Sequence, residues 1–98
     1  MMTVTMPKYE IRKTASFKKD YKILNKRGCD IQKLEAVIQK LANGEKLPQN
    51  YQDHALKGKF NKYRECHINP DWLLIYQIIE DKLILILSQT GTHSDLFK

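Results

Sequence analysis

Residues 62–88 read KYRECHINPDWLLIYQIIEDKLILILS, and the fold is decided there. Trp72 to Ile79 is a run of Ile and Leu with one Tyr, and Lys82 to Ser88 has Ile or Leu at nearly every position. Apolar runs this short, bounded by turn residues, read as strands that are largely buried. Glu80-Asp81 leaves room only for a tight turn between them. Upstream, Lys62 to Ile68 is a third candidate strand, stopped by Asn69-Pro70-Asp71. Three strands joined by short turns form an antiparallel meander. The end of the first, the start of the second and the end of the third then lie at one edge of the sheet.

Outward from this meander the periodicity changes. Ile31, Leu34, Ile38 and Leu41 recur at helical spacing, which predicts a helix from about Ile31 to Ala42, with Asp30 as its cap and Gly44 as a stop beyond it. Phe17, Tyr21 and Leu24 form the stripe of an earlier helix, about Phe17 to Arg27, capped by Thr14 or Ser16 and ended by Gly28. The short connection makes the pair an antiparallel hairpin. Tyr9 to Ile11 alternates apolar and charged residues, as a short strand does, and residues 1–7 read as a loose lead. Residues 43–58, punctuated by Pro48, Asn50 and Gly58, read as a long loop, a feature that in compact domains is often functional. Thr90-Gly91-Thr92 breaks the last strand, and Ser94 to Phe97 suits a final turn. The order is β-α-α-β-β-β, an α+β fold with a mainly antiparallel sheet and a helical hairpin packed on one face.

At 98 residues the chain is a single domain, spanning 1–98. No apolar run reaches the roughly 20 residues of a membrane span. The first residues lack a signal-peptide pattern, so the expected location is the cytoplasm. Cys29 and Cys66 are too few for a disulfide framework and are expected to stay reduced. The net charge is +6 and is carried by one half of the chain. Residues 1–50 hold 11 basic and 5 acidic residues, whereas residues 51–98 hold 6 of each. Such a balance points to a polyanionic partner, with plain solubility as the alternative.

The groups able to do chemistry gather after residue 53: His54, His67, Asp71 and His93, with Trp72 and Phe97 near them in sequence. The meander lets His67, Asp71, Trp72 and His93 converge. Histidines there suit general acid–base catalysis, because imidazole titrates near neutral pH. A zinc site is the second reading, although His67-x-x-x-Asp71 matches no compact zinc spacing. Unconnected, partly exposed histidines are the third. Lys57, Lys59, Lys62 and Arg64 interleave with Phe60 and Tyr63, a pattern for a phosphate backbone with stacked bases or for an edge strand guarded by lysines. Lys18, Lys19, Lys22 and Lys26 lie off the apolar stripe of the first helix, as a solvated face or as a surface for structured RNA. Cys66 and His67 are strand neighbours and point to opposite faces, which argues against a Cys–His pair. No Gly-rich phosphate loop, G-x-S-x-G elbow or H-E-x-x-H helix is present.

The stretches Asp53-His54-Ala55-Leu56-Lys57-Gly58, Tyr63 to Tyr76 and Thr90-Gly91-Thr92-His93-Ser94-Asp95-Leu96-Phe97 resemble the YafQ branch of the RelE-type toxins of bacterial type II toxin–antitoxin systems. The resemblance covers essentially the whole chain, most specifically in its second half. It implies an endoribonuclease that cuts messenger RNA in the ribosomal A site without metal or other cofactor. In that chemistry the 2′-hydroxyl attacks the adjacent phosphate and leaves a 2′,3′-cyclic phosphate. It also implies a cognate antitoxin of the DinJ/RelB type, with which the toxin represses its own operon, so that operator DNA is met only through the antitoxin. By matching motifs, the family's catalytic positions fall on His54, His67, Asp71 and His93, with His93 as proton donor. Trp72 and Phe97 fall on aromatic positions of the site, and Lys57 and Lys59 are candidates for binding the substrate. Lys18, Lys19, Lys22 and Lys26 are candidates for binding the ribosome. The family usually has an arginine before Thr-Gly-Thr-His, where this chain has Gln89. That departure leaves three alternatives: a compensating Lys57 or Lys59, a slower enzyme, or a weak or inactive relative that acts mainly as an antitoxin-bound co-repressor.

Overall fold

The computed structural model describes residues 7–96. Strand β1 (Glu10–Lys13) leads into helix α1 (Ala15–Lys26) and helix α2 (Ile31–Ala42). Four strands follow, β2 (His54–Ala55), β3 (Arg64–Asn69), β4 (Trp72–Ile79) and β5 (Ile84–Gly91), and then the one-turn helix α3 (His93–Leu96). They make one five-stranded sheet in the order β1-β5-β4-β3-β2. Only the β1–β5 pair is parallel. The α+β meander and the helical hairpin are as the apolar pattern predicts, and β4 has the predicted ends.

Several boundaries differ from the sequence reading. Strand β1 is Glu10–Lys13 and not Tyr9 to Ile11, and α1 starts two residues earlier, at Ala15. Strand β3 is Arg64–Asn69 and not Lys62 to Ile68, and β5 starts at Ile84 and not at Lys82, which belongs to the turn. The segment 43–58 is not all loop, because His54–Ala55 adds an edge strand to β3. Both residues are exposed, so no apolar alternation marked them. Strand β5 does not stop at Ser88 but runs through Thr90 to Gly91. The last turn is the helix α3, beginning at His93; Phe97 lies outside the described residues. Asp30 occupies the cap position of α2 but makes no side-chain cap bond there, whereas Thr14 accepts from the Phe17 amide at 3.0 Å. Thr14 also donates to the Ser88 carbonyl at 2.8 Å, which ties the start of α1 to β5. Gly28 ends α1 with φ +81°, a conformation other residues adopt only at a cost.

The core lies between the helical hairpin and one face of the sheet. It unites Phe17, Leu24, Leu34, Ile38 and Leu41 from the helices with Cys66, Ile68, Trp72, Leu74, Tyr76, Leu85 and Leu87 from the strands. Side chains alternate across a sheet, so the neighbours of these residues face the other way. Two β-bulges break the alternation. One separates His67↔Leu73 from Asn69↔Trp72, leaving Ile68 as the extra residue of β3. The other separates Ile75↔Gln89 from Tyr76↔Leu87, leaving Ser88 as the extra residue of β5. Because of the second, Leu87 and Thr90 both face the core, and Gln89 and Gly91 face the opposite side. Bulges of this kind re-aim side chains next to active sites.

Candidate active site

On the face away from the helices, register aligns two rows of residues. Partner assignments run His54↔Glu65, Glu65↔Ile75 and Ile75↔Gln89, so that β2, β3, β4 and β5 each contribute one residue to the first row. The second row is His67↔Leu73↔Gly91, one step along the strands, and His93 follows just past β5. The structure thus gathers all three histidines.

Their common neighbour is Glu65, which the sequence reading did not select. His54 Nε2 is 3.9 Å from its Oε2, His67 Nε2 is 3.7 Å from its Oε1, and His93 Nε2 is 4.0 Å from its Oε1. The His67 and His93 ring centroids are 6.1 Å apart. Glu65 is only 7% exposed, so its charge acts where water screens little. A carboxylate two residues from His67 on a strand shares its face, and that parity was the signal available in the sequence.

Two carbonyls fix how the imidazoles are turned. His54 Nδ1 lies 2.6 Å from the Gln52 carbonyl oxygen, and His67 Nδ1 lies 3.3 Å from that of Pro70. A carbonyl only accepts, so each Nδ1 carries the hydrogen. In a neutral ring each Nε2 then presents its lone pair on the side of Glu65, as a general base requires. The loop before His54 is itself anchored. Asp53 accepts from the Tyr76 hydroxyl at 2.6 Å and from Arg64 Nε at 3.3 Å. Burial, followed by the bond to Asp53, raises the Tyr76 phenol well above its ordinary value.

The α3 turn that carries His93 is pinned from α1. Arg27 donates to Asp95 at 2.9 and 3.3 Å, and the Thr92 amide donates to the same carboxylate at 3.0 Å. The Arg27 bond, ahead of the Thr92 amide, holds the Asp95 carboxyl well below the usual range. Asp20 accepts from the Thr90 amide at 3.1 Å, and desolvation raises its carboxyl. A Cβ at Gly91 would stand 3.1 Å from Asp95, so glycine lets α3 fold back this closely.

The other predicted residues are distributed as follows. Asp71 is exposed in the β3–β4 turn, four residues beyond His67. Lys57 and Lys59 are exposed beside the Gly58–Phe60 turn, and Gln89 is exposed at the end of its row. Lys18, Lys19, Lys22 and Lys26 are all exposed on α1. Trp72 requires a correction. Its indole is 6% exposed on the core face, and its N–H donates to Thr90 Oγ1 at 2.9 Å, so it braces β4 against β5 and offers no open ring to a base. Cys66 is fully buried, and desolvation pushes its thiol up to about 12, which removes it as a nucleophile. Beside the histidine rows lies a cleft of about 490 Å³, lined by residues that include Leu56, Phe60, Tyr63, Ile75, Gln89 and Leu96. Among the described residues no helix is long and apolar enough to cross a membrane.

Comparison with known proteins shows the family. Residues 9–98 match the family described as the bacterial toxin of type II toxin-antitoxin system, YafQ. The chain belongs to the YafQ family. It is 42% identical over 89 residues to the mRNA interferase toxin YafQ of Escherichia coli K12, covering 90% of this chain and 95% of that one. The crystal structure of the E. coli DinJ–YafQ toxin–antitoxin complex superposes with a TM-score of 0.86 at 37% identity, over 93% of this chain and 99% of that one. A metal-bound toxin from Helicobacter pylori superposes with a TM-score of 0.85 at 44% identity, over 91% and 99% of the two chains. As a YafQ-family member the chain is a toxin of a type II toxin–antitoxin system, and its E. coli relative is by name an mRNA interferase toxin.

Proposed function

We propose that this chain is a ribosome-dependent mRNA interferase that cleaves by metal-independent acid–base transesterification. The observation that carries the reading is the meeting of three imidazoles around Glu65 on one open sheet face. His54 or His67, each with Nε2 turned inward, takes the proton of the substrate 2′-hydroxyl. The 2′-oxygen forms a bond to the adjacent phosphorus, and the bond from phosphorus to the 5′-oxygen breaks. His93 delivers a proton to that leaving oxygen, giving a 2′,3′-cyclic phosphate and a 5′-hydroxyl. Glu65 stabilises whichever imidazolium is present. Asp71 orients His67 through the turn they share, or takes part in the base role. Lys57 and Lys59 offset the negative charge on the phosphate, and Gln89 donates a neutral hydrogen bond to it.

The exposed lysines of α1 support docking on ribosomal RNA, which relieves so small a domain of selecting its substrate alone. The E. coli complex supports a DinJ-like antitoxin as the neutralising partner, and operator DNA is met through that antitoxin. One residue favours a second reading: Gln89, where the family usually has arginine, suits a weak enzyme that serves chiefly as co-repressor. Induction of the chain in bacteria separates the two. Growth arrest that His93→Ala abolishes, with antitoxin binding kept, supports the enzyme. In cleavage on intact ribosomes a chelator should have no effect; loss of activity that zinc alone restores would refute the metal-free mechanism.

A further inference from the structure

We infer that the cleft beside the histidine rows is a nucleobase subsite, seating the unstacked base of a nucleotide that flanks the scissile phosphate. The inference rests on the ribonuclease reading and names a part of the substrate that reading leaves unplaced. Position is the first argument. Leu56 follows His54 by two residues, and Tyr63 precedes Glu65 by two, so both share the face of the histidines. The Leu56 amide donates to the Tyr63 carbonyl at 2.9 Å, which continues the β2–β3 ladder one row further. Ile75 and Gln89 belong to the Glu65 row itself. The cleft therefore begins where the acid–base groups end, about 7 Å along the strands.

Its lining is the second argument. Leu56, Ile75 and Leu96 give an aliphatic floor, Tyr63 an aromatic wall, and Ser16 and Gln89 a few polar groups. A volume of about 490 Å³, mostly apolar with a few polar groups, suits a small planar ligand. Phe60 stands at the rim, 52% exposed, and is held by the Gly58–Phe60 turn, whose Phe60 carbonyl accepts from the Tyr63 amide at 2.9 Å. A phenyl ring fixed in water is a platform for base stacking. Charge is the third. Among the described residues no carboxylate lines the cleft, and exposed Lys57, Lys59 and Lys62 are the chain neighbours of Leu56, Phe60 and Tyr63, with Lys59 Nζ 5.3 Å from the Phe60 ring centroid. An apolar slot whose neighbouring residues are cations and not carboxylates fits a base joined to phosphates better than an apolar peptide segment.

The test titrates the full chain with the four nucleoside 3′-monophosphates, and with ribose 5-phosphate as a probe that lacks a base, while NMR follows methyl and imidazole signals. The nucleotides should shift Leu56, Ile75 and Leu96, and ribose phosphate should not. Phe60→Ala alters an exposed residue and should keep the fold. It should weaken nucleotide binding about 5–100-fold and leave ribose phosphate binding unchanged. Shifts confined to the histidines and equal for both probes would overturn the subsite, as would unchanged nucleotide affinity in Phe60→Ala. An antitoxin peptide that fills the cleft where no nucleotide does would also overturn it. Cleavage on ribosomes is measured in parallel. A chain that cuts mRNA yet leaves the cleft empty fails this inference alone. A chain that seats bases but cuts nothing upholds the subsite and fails the ribonuclease reading.

Discussion

Glu65 is the common neighbour of the three histidines, and its replacement by the isosteric amide isolates charge from shape. Glu65→Gln should fold normally and lose at least tenfold in single-turnover cleavage on saturating ribosomes, since no carboxylate then balances the imidazolium that forms. Gln89 gives the opposite expectation. It ends the row that contains Glu65, and a guanidinium there could make two charge-assisted bonds to the phosphate. One such donor is typically worth about 10²–10³-fold. Gln89→Arg should therefore raise the chemical step without changing ribosome affinity; an unchanged rate would mean that another cation already fills this place. At this scale the sequence was informative about identity and poor about surroundings. The histidines stood out as the titratable groups of the second half. Glu65 looked like any strand carboxylate, because its importance comes from register, which places His54 opposite it. Trp72 looked like a substrate contact, because residue type alone does not say which sheet face a ring occupies.

Among the helices, α3 is the least secured by burial and the most dependent on a single pair. The Arg27 and Asp95 side chains are 48% and 32% exposed, so solvent screening leaves their bridge little part in overall stability. Its local effect is larger, since misplacing a catalytic group by about 1 Å can cost 10²-fold. Arg27→Ala should shift the melting temperature by only a few degrees while cutting cleavage tenfold or more, with Thr92 to Leu96 losing hydrogen-exchange protection. The sign of the pH effect follows from Asp95. Its folded carboxyl titrates below the unfolded value of 3.8, so its stabilisation is complete above that value and is lost as pH falls through the folded one. Loosening of α3 at acid pH, read by the same exchange, should be smaller in Arg27→Ala, where only the Thr92 bonds still favour the carboxylate. The long elements were legible because each buries a continuous stripe or run; α2 and β4 have the predicted limits. The two-residue β2 and both bulges were not. A bulge is a disagreement between two strands, visible only when they are paired, and the one at Ser88 reversed which of its neighbours face the site.

At the scale of the molecule, charge and chemistry are carried by different parts of one small domain. The surplus of +6 comes from residues 1–50, whereas the acid–base groups all follow residue 53. Changing Lys18, Lys19, Lys22 and Lys26 together to Glu should weaken ribosome binding and flatten its salt dependence, because fewer phosphate contacts release fewer counterions. Cleavage per bound ribosome should persist; if binding holds and cleavage falls, α1 has another role. The parallel pairing of β1 with β5 sets a clock on all of this. Glu10 pairs with Ile84, 74 positions further along. At about 5–20 residues per second, β1 waits roughly 4–15 s during synthesis before its partner exists. Closing so long a chain segment is itself slow. When Ile84 is added, the nascent chain already carries His54, Glu65 and His67 but neither Gln89 nor His93. On the proposed mechanism a newly made toxin is therefore harmless while it is being translated, and an antitoxin already in the cell has those seconds in which to meet it.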